Sequence, residues 1–171
     1  MIPWQRFGAS ALLMTLMAGP GLAQGSDPEL LGAFADWSAY AYKAADSKVC
    51  YISARPKASD PANAKRDPAF FLVTNMPGRK VRGEISTIIG YPFKKDSIAR
   101  LAIDEAAFEL FTNADGAWAE SAAAEKKIVA AMRNGQSLIV TGTSWRGTQT
   151  VDTYSLNGVS AALAKIDDAC K

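Results

Sequence analysis

Two cysteines, Cys50 and Cys170, constrain this chain more than any other residues, because a bond between them would tie its first third to its last residues. Closing a loop of a hundred-odd residues stabilises a fold by up to about 5 kcal/mol in the chain-entropy model. Whether two cysteines pair depends first on compartment. The N-terminus addresses that question. Arg6 precedes an apolar run from Phe7 to Met17, followed by Pro20, Gly21 and the small-residue pattern Gly21-Leu22-Ala23. The run has the length of a signal-peptide core and is too short to span a bilayer, which takes roughly 20 apolar residues. Residues 1–23 therefore read as a signal peptide cleaved after Ala23, and no later stretch is apolar for long enough to cross a membrane. In an exported chain an even cysteine count points to a disulfide. Two free thiols or a metal pair are the alternatives, and two cysteines without histidine make a poor metal site.

After loss of the signal peptide roughly 150 residues remain, the size of one domain. Residues 24–35 are small and polar and read as a flexible leader, leaving a single β-rich domain over 36–171. The full chain carries a formal charge of +2, and losing Arg6 lowers it by one. Such a balance gives no electrostatic case for nucleic-acid binding.

Alternation and β-rich composition predict strands over 36–43, 48–54, 69–75, 82–90, 97–103, 106–112, 137–142 and 148–154. The first two form a hairpin, and 55–68, with Pro56, Pro61 and Pro68, reads as a long exposed loop. Asn113-Ala114-Asp115-Gly116 is a turn signal. From Ala119 the period changes to that of a helix ending at Asn134, with Trp118, Ala122, Val129 and Met132 on one face, Ser121 as N-cap and Gly135 at the C′ position. A second helix, from about Asn157 to Ala169, aligns Val159, Leu163, Ile166 and Cys170 on one apolar face. Cys170 thus lies on the face that docks on the sheet, within reach of Cys50. About eight strands with hairpin connections and two helices predict a mainly β domain, a sandwich or barrel with helices added.

Histidine is absent, which removes the Ser-His-Asp and Cys-His triads and the usual zinc sites. Gly142-Thr143-Ser144-Trp145-Arg146-Gly147 fails the nucleophile-elbow pattern, because Arg146 stands where the final glycine belongs and the segment joins two strands. No Ser-x-x-Lys occurs. Asn113-x-Asp115-Gly116 is only a fragment of a calcium loop. Asp104, Glu105 and Glu109 are the sole candidates for paired carboxylates of the glycosidase type, against a reading as solvated strand and turn residues. No catalytic residue, cofactor or metal site is therefore assigned. Asp167 and Asp168 sit near a helix C-terminus, where the macrodipole disfavours them. Basic residues gather in loops: Lys57, Lys65 and Arg66; Arg79, Lys80 and Arg82; Lys94 and Lys95. Loops collected at one end of a sandwich would make these a cationic rim for anionic lipid, glycan or acidic protein; otherwise they are solvated loops. Trp145 beside Arg146 is the best aromatic candidate for an exposed contact. The candidate binding surface is thus Arg79, Lys80, Arg82, Trp145 and Arg146.

Asp36-Trp37, Val49-Cys50-Tyr51, Gly90-Tyr91-Pro92, Ile103-Asp104 and Trp118 occur in that order. They are followed by Val129 to Gly135, Ser144-Trp145-Arg146-Gly147, Thr153 to Leu163 and the terminal Cys170. In order and spacing these segments resemble the invasion-associated locus B proteins of alphaproteobacteria, over nearly the whole mature chain. The resemblance implies a periplasmic or envelope protein with an immunoglobulin-like antiparallel β-sandwich. It brings no catalytic residues with it. Many members carry a further cysteine shortly after the Asp-Trp pair. Here Tyr40 and Tyr42 occupy that region, so the resemblance leaves Cys50–Cys170 as the inferred pair.

The expected function is that of an exported, non-catalytic binding module of the periplasm or cell envelope, invasion-associated by resemblance. Its partner is a protein or another envelope component. The alternatives are a periplasmic assembly or chaperone-like factor and, further off, a carboxylate-only hydrolase.

Overall fold

The computed structural model describes residues 27–44 and 47–171; the expected signal peptide lies outside them. Among the described residues the strands are β1 (Glu29–Phe34), β2 (Trp37–Ala44), β3 (Ser47–Ala54), β4 (Ala58–Asp60), β5 (Phe70–Met76) and β6 (Val81–Ile88). They continue with β7 (Ile98–Ile103), β8 (Ala106–Asn113), β9 (Gly116–Ala119), β10 (Ser137–Thr143) and β11 (Gln149–Ser155). The helices are α1 (Ala122–Asn134) and α2 (Val159–Ala169), and Pro77–Arg79 forms one 3₁₀ turn. All the pairings are antiparallel, in the order β1-β2-β3-β5-β6-β9-β8-β7-β10-β11-β4.

The mainly β composition with two helices is as expected, but the arrangement differs from an eight-stranded immunoglobulin-like sandwich. It is one open sheet of eleven strands with β1 and β4 as its edges. Three short strands account for the difference. Glu29–Phe34, placed by the sequence in the leader, pairs with β2 through a bulge between Leu30 and Gly32. Ala58–Asp60, inside the expected loop, pairs with β11. Gly116–Ala119 bridges β6 and β8 and takes Trp118 out of the expected helix.

The sheet bends so that its first strands face its last ones. Phe71 on β5 stands between Trp37 on β2 and Tyr154 on β11, with ring centroids 6.4 and 5.9 Å away. The Trp37 indole N–H donates to the Ser155 carbonyl at 3.0 Å. All three rings are buried, each contributing on the order of 1.5–3 kcal/mol by removal from water. Burial pushes the Tyr154 phenol far above its ordinary range. Its hydroxyl has no hydrogen-bond partner of normal geometry among the described residues.

The helices fill the inner side of this curve. Ile128 and Met132 of α1 are buried, whereas the expected face residue Ala122 is exposed and Val129 only half-buried. Ser121 caps α1 as expected, accepting from the Ala124 N–H at 3.3 Å. Gly135 is extended (φ −87°) and not left-handed as a C′ glycine would be. Glycine is needed there for space, since a Cβ would come within 2.8 Å of Ile103 and 2.9 Å of the Asp104 carboxylate.

Helix α2 buries Val159, Ala162, Leu163 and Ile166 against β1, β2 and β3. It ends at Cys170, bonded to Cys50 of β3 with an S–S length of 2.06 Å. Asp167, unexplained by the sequence, holds this end in place. Its carboxylate accepts from Asn75 on β5 at 2.9 Å, Arg133 of α1 at 3.1 Å and Arg82 of β6 at 3.4 Å. Those three donors offset the unfavourable position at a helix C-terminus.

Candidate functional site

Where β6 ends, three loop segments converge, 61–67, 90–92 and 144–147. The Asp67 N–H donates to the Gly90 carbonyl at 3.0 Å, and the Trp145 N–H donates to the Pro92 carbonyl at 2.9 Å. Gly90 has φ +81°, and a Cβ there would sit 2.0 Å from the Asp67 carbonyl oxygen. Only glycine permits both the left-handed turn and the close approach. These contacts fix the 61–67 loop and the 144–147 turn on either side of the segment 90–92. Between them lies an open pocket of about 600 Å³, lined among others by Lys65, Arg66, Asp67, Tyr91, Trp145 and Arg146.

The floor is rigid. Arg66 forms a two-pronged ion pair with Asp152 of β11, whose side chain is 1% exposed against 8% for Arg66. One prong measures 2.7 Å between Nη1 and Oδ2. Nη1 also donates to the Ile89 carbonyl at 2.8 Å, and Nη2 to Ser59 Oγ of β4 at 3.0 Å. Ser59 in turn donates to Asp152 at 2.6 Å. Asp152 raises the Arg66 pKa still further above neutrality, so this guanidinium is permanently charged and already neutralised. Tyr91 shares a 2.7 Å hydrogen bond with Thr150, and burial pushes its phenol up.

The rim is different. Trp145 is 59% exposed, with the Arg146 guanidinium 4.8 Å from its ring centroid. Arg146 and Lys65 are exposed and make no ion pair among the described residues. Asp67, also exposed, is the carboxylate in the pocket lining.

The five candidate surface residues divide between two places. Trp145 and Arg146 belong to this pocket. Arg79 and Lys80 precede β6 and lie at its other end, about 25 Å away for eight extended residues. Arg82 is committed to structure, donating to Asp167 and, at 3.4 Å, to the Cys170 carbonyl. Lys57 pairs with Asp36. The continuous cationic rim is therefore not formed, and its cations split between the two ends of the sheet.

The weak catalytic motifs have structural uses. Ser144 is buried, and its Oγ accepts from the Thr148 N–H at 3.2 Å. Asp104 accepts from the Gln136 and Ser137 N–H groups at 3.0 and 3.2 Å. Glu109 lies opposite Arg100 in the β7–β8 ladder. The turn at Ala114–Asp115 supplies carbonyls to Phe93 and Ile89.

A second surface adjoins the pocket on the outer face of the sheet. Cross-strand pairing sets Phe70 beside Ile88, Ile98 beside Phe111, and Phe111 beside Trp118. The last two rings stack 5.8 Å apart, and Ile88, Ile98 and Phe111 are all exposed.

Comparison with known proteins matches residues 37–167 to the family model for the invasion associated locus B (IalB) protein. The chain belongs to the IalB family. The matched span holds the pocket and Cys50, and leaves β1 and Cys170 outside. Among solved structures, that of invasion associated protein B from Bartonella henselae is similar, with a TM-score of 0.58 and 19% identity. The similarity covers 84% of this chain and 98% of that one, and at this identity it shows a common fold. No curated protein matches. No helix among the described residues of this IalB chain is long and apolar enough to cross a membrane.

Proposed function

We propose that this protein is an exported, non-catalytic binding module of the bacterial periplasm or envelope with a role in host-cell entry. One observation carries the reading: a preformed pocket whose polar floor is consumed by its own ion pair, while its rim keeps an exposed indole and two cations that make no ion pair among the described residues. Such an arrangement presents contacts and offers no activated nucleophile. Export is supported by the Cys50–Cys170 bond, which requires an oxidising compartment to form and persist, and by the signal-like N-terminus. The role in entry is supported by IalB membership and by the name of the similar Bartonella protein.

Cell fractionation should recover the protein from periplasm or envelope with an N-terminus near Gln24; a cytoplasmic pool retaining residues 1–23 would overturn export. In a pull-down on envelope and host-cell surface fractions, Trp145→Ala with Lys65→Glu should lower retention at least ten-fold, while Arg79→Glu with Lys80→Glu leaves it unchanged. Equal retention by all three proteins would remove the pocket from the function.

The apolar stripe of Phe70, Ile88, Ile98, Phe111 and Trp118 favours a second reading, an assembly or chaperone-like factor that holds client strands. On that reading the protein suppresses aggregation of unfolded envelope proteins, and Phe111→Ser abolishes the effect. Absence of suppression by the unaltered protein removes this reading.

A further inference from the structure

We propose that the pocket at the Trp145 end takes a saccharide bearing a single carboxylate; this rests on the binding-module reading and names the ligand class of that site. The charge count is the first argument. Three cations line the pocket, but Arg66 is neutralised by Asp152 and its terminal nitrogens are occupied by Asp152, Ser59 and the Ile89 carbonyl. Lys65 and Arg146 remain, and the pocket lining also holds one carboxylate, that of Asp67. Two cations against one anion leave one positive charge to be answered. That suits one carboxylate and gives no case for a nucleotide or polyphosphate, whose several charges would meet Asp67 with too few cations to offset it.

The second argument is the indole. The Trp145 backbone is held in the β10–β11 turn by its bond to Pro92, and its ring is braced by the Arg146 guanidinium. Arg146 occupies one face of the ring, and 59% of the residue remains exposed. A flat apolar face beside charged groups complements a pyranose, which has an apolar C–H face and a polar edge. The exposed Thr148 and Asp67 supply a hydroxyl and a carboxylate for sugar hydroxyls. The third argument is size. About 600 Å³ lies within the range of small-ligand pockets and admits two or three sugar units.

The test is titration of the protein, purified in its cellular form with the disulfide intact, followed by calorimetry and by the indole ¹⁵N–¹H resonance of Trp145. Four probes are used: a trisaccharide ending in sialic acid, one ending in glucuronic acid, neutral lactose, and the tripeptide Gly-Glu-Gly. One or both acidic sugars should bind at least ten-fold more tightly than lactose and the peptide, with the Trp145 resonance shifting. The preferred sugar indicates whether the source is a host-cell glycan ending in sialic acid or a uronic-acid polysaccharide. Trp145→Ala should weaken that binding at least ten-fold, and Lys65→Gln should remove the preference over lactose. Arg79→Glu with Lys80→Glu should change neither. Equal affinity for lactose or the peptide, or binding indifferent to Trp145→Ala, overturns the proposal. Should both acidic sugars fail to bind while Trp145→Ala with Lys65→Glu still abolishes retention on envelope or host fractions, the ligand class is wrong and the binding-module reading stands. Failure of both experiments removes both.

Discussion

Asp152→Ala should destabilise the protein by about 3–5 kcal/mol, the range for removing one partner of a buried ion pair. The loss exceeds that of the hydrogen bonds alone, because Arg66 would stay charged and buried with only the Ile89 carbonyl and Ser59 as partners. It also exceeds the value of a surface pair, which is about 0–1 kcal/mol. Urea unfolding reads the effect as a midpoint lower by on the order of 2 M, taking a slope of about 2 kcal/mol/M. The double variant Arg66→Met with Asp152→Leu should recover much of that loss, since an apolar pair leaves no stranded charge. It should nevertheless fail to bind at the pocket, because Arg66 and Asp152 tie β4 and the 61–67 loop to β11. A single substitution costing less than about 1 kcal/mol would show that the pair is solvated and that the floor is not rigid.

Removing the Cys50–Cys170 bond, by reduction or by Cys50→Ala with Cys170→Ala, should cost about 2–5 kcal/mol. The separation of 120 residues places the chain-entropy contribution near the upper end of that range. Part of the junction survives without the bond, because Asp167 still binds Asn75, Arg82 and Arg133. The readout is the urea midpoint with and without reductant, which should fall by about 1–2.5 M at a slope of about 2 kcal/mol/M. A midpoint insensitive to reductant would mean that the Asp167 cluster and the apolar face of α2 suffice to hold the helix.

The strands visible in the sequence were those whose alternation or β-rich composition spans six residues or more, as in Ala69–Asn75 and Ser137–Gly142. Those it hid lack that signal for separate reasons. Glu29–Phe34 has no β-branched residue and contains the irregular Gly32. Ala58–Asp60 is three residues long and lies between prolines. Gly116–Ala119 consists of small residues around one tryptophan, so its apolar positions continue into the period of α1. The site was legible by halves. Trp145 and Arg146 stand out because a hairpin turn exposes its tip. The Arg66–Asp152 pair joins positions 86 residues apart, which no local pattern records. A trace of it existed: the period of β11 puts Asp152 on the same face as buried Thr150 and Tyr154, and a charged residue in the inward register requires a buried partner. Whether Arg79, Lys80 and Arg82 share a surface with Trp145 was not legible, because counting charge by loop does not say which end of the sheet each loop occupies.

The strand order also dictates when this molecule can be completed. Among the described residues β4 pairs only with β11, and the inner side of β1, β2 and β3 is covered by α2, the element that follows β11. Contacts of such long sequence separation form slowly, because loop closure must precede any gain from pairing. A growing chain therefore cannot complete this sheet until β11 has been made. Joining Cys50 to Cys170, in which both thiols lose their protons and electrons to an external oxidant, can follow only once α2 is present.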